Sequence, residues 1–289
     1  MNVLDTLLQG LLLGGLYALF ATGLSLAFGI MRFVNIAHGD FIVLGAFAAL
    51  AVVGLLPMHP LLAALVVMPL LALAGYLAQR LVYNRTLGRD IMPPLLVSFG
   101  LSVMLQNGLL ELFSGDSRRL DAGDLASASL ALGSELAVGV FPLLTLALAV
   151  TVLLALQWMF SHTALGRALR ATSDDAEIVQ LMGIDSRRIY GVAMALASAT
   201  VGLAGVILGI GKAFDPMLGP PQLLYAFEAV IIGGLGSLWG TLAGGLVLGV
   251  AQAIGFRLDP GWGILAGHLA FAAVLLLRPQ GLFPKTRDR

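Results

Sequence analysis

The chain contains no cysteine among its 289 residues. Disulfides, thiolate metal centres and cysteine nucleophiles are therefore all excluded. Charge is scarce as well, at 11% Asp, Glu, Lys and Arg against about 25% in an average chain, too little to clothe a water-facing domain. No sign of charge dominates: 16 Lys and Arg stand against 16 Asp and Glu, so the basic excess of a nucleic-acid-binding protein is missing. Disorder is excluded by the opposite feature, an apolar fraction of 59% with mean hydropathy +0.96, far above what an unfolded polar chain carries. These limits leave an all-α polytopic membrane protein.

The first eight residues, Met1–Leu8, have no Lys or Arg, and the apolar stretch Val3–Ile30 is much longer than the roughly 7–15 residues of a signal core. It is expected to be a retained first span. A span needs about 20 mostly apolar residues, and the others expected are Phe41–Leu56, Leu61–Leu81, Ile91–Phe113, Val138–Phe160, Ile189–Ile210, Thr241–Phe256 and Trp262–Leu277. That makes about eight transmembrane helices in one domain, 1–289. Tyr225–Leu235 is short and, with the glycine run after it, suggests a re-entrant or broken helix within 225–256. Two polar loops stand out, 114–137 and 161–189.

Cation placement gives the orientation. With the N-terminus outside, the inner segments hold Arg32, Arg80, Arg85, Arg89, Arg167, Arg170, Arg187, Arg188, Arg278, Lys285, Arg287 and Arg289, while the outer ones hold only Arg118, Arg119, Lys212 and Arg257. The expectation is N-terminus outside, C-terminus in the cytoplasm, loop 114–137 periplasmic and loop 161–189 cytoplasmic. The 36 glycines fall largely inside spans, several four apart (Gly10/Gly14, Gly205/Gly209, Gly236/Gly240/Gly244, Gly245/Gly249, Gly263/Gly267). That spacing lets two helix backbones approach closely. Gly233–Gly240 is too glycine-dense for a good helix, and irregular backbone at membrane depth survives only where protein or water covers it. Gly233, Gly234 and Gly236 are thus candidates for lining a translocation path, or simply for tight packing.

No catalytic constellation emerges. His38, His59, His162 and His268 stand in separate segments without metal-ligand spacing, so no metal site is expected. The Gly-x-Ser triplets ending at Ser25, Ser102 and Ser117 lack the closing glycine of a nucleophile elbow. Gly211-Lys212 is followed by Ala213, where a phosphate loop needs Ser or Thr. Ionisable residues in the spans are few: Glu111 near a helix end, Glu228, and His268, expected to be a hydrogen-bonded packing residue. Glu228 either faces a substrate path or pairs near the outer surface. So thin a set argues against ion-driven transport.

The loop 161–189 is the most informative. Thr172 and Asp175 form a capping-box pattern, Asp174, Asp175 and Glu177 place negative charge in a first turn, and Gly183 is a C-cap candidate. A helix of about ten residues is expected, with Ile178, Leu181 and Met182 in one apolar stripe. So short a helix is marginal alone in water, and its stripe calls for a groove on another protein or for the membrane surface. Asn35-Ile-Ala-His38-Gly-Asp40 interrupts two apolar stretches and reads as a helix cap or turn, an ATPase contact or part of a cavity.

Three segments, Gly23–Asp40, Gly166–Asp185 and Ile232–Gly240, together resemble the branched-chain amino acid permease family of ABC importers, the LivH type. The resemblance implies a non-catalytic inner-membrane permease subunit without cofactor. Its implied partners are two ATP-binding cassette ATPase subunits, a second permease subunit (LivM-like or identical) and a periplasmic substrate-binding protein. The helix around Thr172, Asp175, Ile178, Leu181, Met182 and Gly183 would be the cytoplasmic coupling helix, with Asn35, His38 and Glu228 beside the path. Relatives of this type import leucine-type amino acids, urea, short amides or aromatic acids; a stand-alone secondary carrier is the competing reading.

Overall fold

A computed structural model describes residues 3–87, 92–131 and 137–283. Arg89, Lys285, Arg287 and Arg289, used above for orientation, Ile91 at an expected span start, and Glu135 of the polar loop lie outside them. The described residues form eleven α-helices: α1 Val3–Met31, α2 His38–Leu55, α3 Pro60–Leu81, α4 Met92–Phe113, α5 Val140–His162, α6 Ala164–Asp174, α7 Ala176–Leu181, α8 Ser186–Gly211, α9 Gly219–Gly233, α10 Leu238–Leu258 and α11 Gly263–Leu277. Seven of these, α1–α5, α8 and α10, are long and apolar enough to cross a membrane. The 15-residue α11, at the expected span Trp262–Leu277, is apolar but shorter than these seven. Loop 114–137 is more ordered than its polarity suggested. It carries a 3-10 turn, Gly123–Ala126, and a two-stranded antiparallel hairpin, β1 Ser129–Ala131 with β2 Ala137–Gly139.

The centre of the bundle is α1, which packs against α5, α8, α9 and α10. Its closest neighbour is α10, and glycine explains the approach. A Cβ on Gly249 would lie 2.4 Å from the Gly10 carbonyl oxygen, and one on Gly14 2.6 Å from the Cα of Leu246. The four-apart glycines of the two helices thus meet backbone to backbone, as their spacing implied. The bundle's outer helices are α3, α4 and α5, whose apolar windows are less than a third buried.

Two helices do not start at a membrane surface. The His38 ring Nε2 bonds the Phe20 carbonyl at 2.8 Å, and Phe20 lies eleven positions before the end of α1, roughly 16 Å at 1.5 Å per residue. Residues 32–37 therefore climb back into the bundle, and α2 begins at depth. The first turn of α9 abuts the same place, since a Cβ on Gly39 would lie 2.0 Å from the Gly219 carbonyl oxygen. The part-length helix expected within 225–256 is this α9. Its break, however, lies before Gly219 and not at the glycine run. Gly233–Gly240 is a tight turn joining α9 to α10: Gly234 and Gly236 take positive φ values of 106° and 76°, and the Ser237 hydroxyl caps α10 by accepting from the Gly240 amide at 3.1 Å. That turn sits against Gly29 at the end of α1 and against Leu282 and Phe283, whose amides bond the Ile232 and Gly233 carbonyls at 2.9 Å.

Candidate functional site

The segment 161–189 forms two helices where one was expected. Thr163 caps α6, its hydroxyl accepting from the Gly166 amide at 3.0 Å. The sequence signal for α6, overlooked in favour of the acidic run, is an apolar row at helical spacing: Leu165 packs inward and Leu169 is fully buried. Gly166 is needed because a Cβ there would lie 2.3 Å from the Met159 carbonyl oxygen of α5.

Asp175 is where the chain breaks. Its carboxylate oxygen accepts from the amides of Glu177 and Ile178, both at 3.0 Å, the N-cap geometry that satisfies otherwise orphaned donors. The expected role of Thr172 is corrected: it is buried inside α6, and its hydroxyl donates to the Ala168 carbonyl at 2.8 Å. Thr172 lies inside α6, which runs on to Asp174, so the residue in N-cap position for α7 is Asp175. The helix is accordingly six residues long rather than about ten.

Its end matches the expectation. Gly183 has φ 85°; its amide donates to Gln180 O at 3.0 Å and the Ile184 amide to Val179 O at 3.2 Å. This is the paired bonding of a Schellman turn, in which glycine accepts the left-handed conformation without a Cβ clash. Val179 points inward, while Ile178, Leu181 and Met182 are 56%, 88% and 75% exposed. The apolar stripe is present and uncovered.

Hydrogen bonds tie this unit to the centre of the bundle. Ser173 Oγ donates to the Gly29 carbonyl at 2.6 Å, and an Arg32 guanidinium nitrogen donates to Ser173 O at 3.2 Å. The Arg170 guanidinium donates to Phe160 O, and Gln180 bonds Ser186 at the start of α8. Displacement of α7 therefore bears on α1, α5 and α8 together.

Inside the bundle, the re-entrant segment is held by polar bonds. Asn35 Oδ1 accepts from the Ala37 amide at 3.1 Å and from the Tyr83 hydroxyl at 2.9 Å. Asn35 builds the turn, whereas the N-cap position itself is Ala37 and has no side-chain cap. Along α4, Ser98 accepts from the Ile36 amide at 3.1 Å, and Gln106 Nε2 donates to Asp40 Oδ1 at 2.9 Å. The polar row Ser98, Ser102, Gln106 of α4 is spaced for one helix face, a signal in the sequence that went unread.

Glu228 is buried within the bundle and pairs with the His268 ring Nδ1 of α11. Its other carboxylate oxygen has no hydrogen-bond partner among the described residues. Tyr17 donates to Gln252 Oε1 at 2.6 Å close by, and its ring lies 4.9 Å from that of Tyr225. The structure thus separates the expected path residues into three places: Asn35 and His38 at the re-entrant turn, Glu228 at the α9–α11 contact, and Gly233, Gly234 and Gly236 at the α9–α10 turn. Among the described residues, no group of three or more His, Asp and Glu is placed to hold a metal ion.

A bundle of apolar helices, seven of them long enough to span a bilayer, with a separately capped helix pair between α5 and α8, is that of a multi-pass membrane protein. Comparison with known proteins agrees and is more specific. Residues 6–276 match the family described as the branched-chain amino acid transport system / permease component, and the chain belongs to that family. It is 32% identical to the high-affinity branched-chain amino acid transport system permease protein BraD of Pseudomonas aeruginosa, over 97% of this chain and 95% of that one. It is 28% identical to LivH, the corresponding protein of Escherichia coli K12, over 96% and 94%. The fructose import permease protein FrcC of Rhizobium meliloti is similar over a shorter stretch, 31% identical across 71% of this chain and 59% of that one.

Proposed function

We propose that this chain is the transmembrane permease subunit of an ABC importer for branched-chain amino acids, lying in a bacterial inner membrane with its N-terminus outside and its C-terminus in the cytoplasm. It would pair with a second permease subunit, LivM-like or identical, rest on two ATP-binding cassette ATPases, and receive solute from a periplasmic binding protein. The observation that carries this reading is the uncovered stripe Ile178, Leu181, Met182 on a helix capped at both ends. The amino-acid substrate rests on the named relatives.

In this mechanism the chain supplies the path and the mechanical link, and hydrolysis belongs to the partners. ATP binding closes the ATPase dimer around α7. Movement passes through the Asp175 junction into α6, and from there by the Ser173–Gly29 bond to the end of α1. Because α1 lies at the bundle centre, a small tilt there repacks the helices around it and opens one end as the other closes. The two states need differ in solute affinity by only a few kcal/mol for directional release.

The test is reconstitution. The chain co-expressed with its neighbouring transport subunits should co-purify with an ATPase and accumulate leucine in proteoliposomes only when ATP and the binding protein are supplied. Solute movement by the isolated chain would favour the secondary-carrier reading and remove this one.

A further inference from the structure

We infer that the chain holds an anionic phospholipid at the α3–α8 corner, with the phosphate among Arg80, Arg85 and Arg187 and an acyl chain along the outer face of α3. The inference rests on the chain's spanning a bilayer and not on which solute it moves.

The last turn of α3, the 3-10 turn Tyr83–Arg85 and the first turn of α8 enclose a cavity of about 280 Å³. Its lining is Arg80, Asn84, Arg85, Asp185, Arg187 and Arg188, four guanidinium groups to one carboxylate. That carboxylate is already engaged. Asp185 Oδ1 caps α8, accepting from the Arg187 and Arg188 amides at 3.0 and 3.4 Å, and Oδ2 pairs with Arg188 Nε at 3.2 Å. Arg80 donates only to the Tyr76 hydroxyl, at 3.1 Å. Among the described residues, neither Arg80, Arg85 nor Arg187 has a carboxylate within ion-pair distance. The walls are fixed from behind: Gln79 Nε2 donates to Asn84 Oδ1 at 2.9 Å, and Asn84 Nδ2 donates to the Arg187 carbonyl at 3.1 Å. The backbone that carries the arginines is thus held in place, and among the described residues three of the four guanidinium groups have no carboxylate partner.

What fills it follows from the adjoining surface. Leu70, Leu73, Leu77 and Leu81 are all exposed on α3, and their spacing of three and four puts them on one face. That exposed stripe reaches Leu81, the residue next to Arg80 of the cavity lining. A ligand matching both parts has a phosphodiester anion at one end and a hydrocarbon chain at the other. Guanidinium forks bind phosphate oxygens bidentately, and basic pockets between transmembrane helices hold anionic lipid headgroups. A free phosphate satisfies only the first half, and an acidic patch on an ATPase leaves the leucine stripe unexplained.

The test uses the intact complex in nanodiscs containing phosphatidylglycerol and phosphatidylcholine, transferred to mild detergent and read by native mass spectrometry. Wild type should retain phosphatidylglycerol and shed phosphatidylcholine. Each arginine near the bilayer surface contributes about fivefold in affinity, so R85Q alone should weaken retention roughly fivefold. R80Q/R85Q/R187Q should weaken it on the order of a hundredfold, while R80K/R85K/R187K should fall in between, because charge is kept but the bidentate fork is lost. Arg85 is exposed and serves as the check where the triple variant does not fold. Equal retention of both lipids, or unchanged phosphatidylglycerol in the glutamine variants, would overturn the inference. So would a triple variant that loses its ATPase and keeps its lipid, because the cluster would then belong to the subunit contact. Uptake is not the readout, so these outcomes stay separate from failure of the transport reading.

Discussion

Glu228 and His268 show what a single polar pair means in a bundle so apolar. The carboxylate is buried between α9 and α11, one oxygen on His268 and the other without a partner among the described residues. Removing one member of a buried pair leaves the survivor uncompensated, a cost of about 3–5 kcal/mol, whereas replacing both with apolar side chains is often neutral. His268→Ala should therefore lower stability by about 3 kcal/mol, and Glu228→Leu/His268→Leu by much less, measured by unfolding of the detergent-solubilised protein. A larger loss in the double variant would contradict the pairing. Glycine 249 is a second sensitive position. Its missing Cβ would meet backbone atoms of Gly10 and Gly14 at 2.4 Å, and backbone cannot rotate away as a side chain can. Gly249→Val should cost more than the about 1–3 kcal/mol of ordinary overpacking, seen as loss of the monodisperse species on size exclusion.

Among the elements, α7 separates function from stability. Leu181 and Met182 of its stripe are largely exposed, so Leu181→Asp and Met182→Asp should leave the unfolding midpoint unchanged while abolishing ATP-dependent uptake. Unaltered uptake at normal expression would remove the proposed link to the ATPase. The end of α7 was legible from Gly183, whereas its start was expected at Thr172 and lies at Asp175. Thr172 misled, since a capping-box pattern does not reveal that a preceding helix runs through the threonine, as α6 does to Asp174. The span positions were readable from apolar run length. The depth at which α2 and α9 begin was not, because hydropathy reports whether a segment is apolar and not where along the membrane normal it starts. That depth is set by tertiary bonds, His38 to Phe20 and the Gly39–Gly219 contact. Likewise Glu228 could be seen as an intramembrane carboxylate, but its partner lies 40 positions away.

For the molecule as a whole, the absence of cysteine makes orientation directly measurable. A single cysteine placed at Asp124 should react in intact cells with a membrane-impermeant maleimide, and one at Leu181 should react only after the membrane is opened. The reverse pattern would invert the proposed topology. The proposed motion also has a physical route at this scale, because α6 is bonded to the ends of both α1 and α5.

The central place of α1 has a consequence for biogenesis. The most apolar stretch of α1 is 78% buried in the folded protein, yet its closest neighbour, α10, is made more than 200 residues later. Until Gly245 and Gly249 emerge, the groove containing Gly10 and Gly14 has only acyl chains against it. Such long sequence separation makes assembly slow and exposes incomplete chains to misassociation. A nascent chain arrested before residue 238 should consequently be a preferred target of membrane quality-control proteases, while one arrested after 258 should survive.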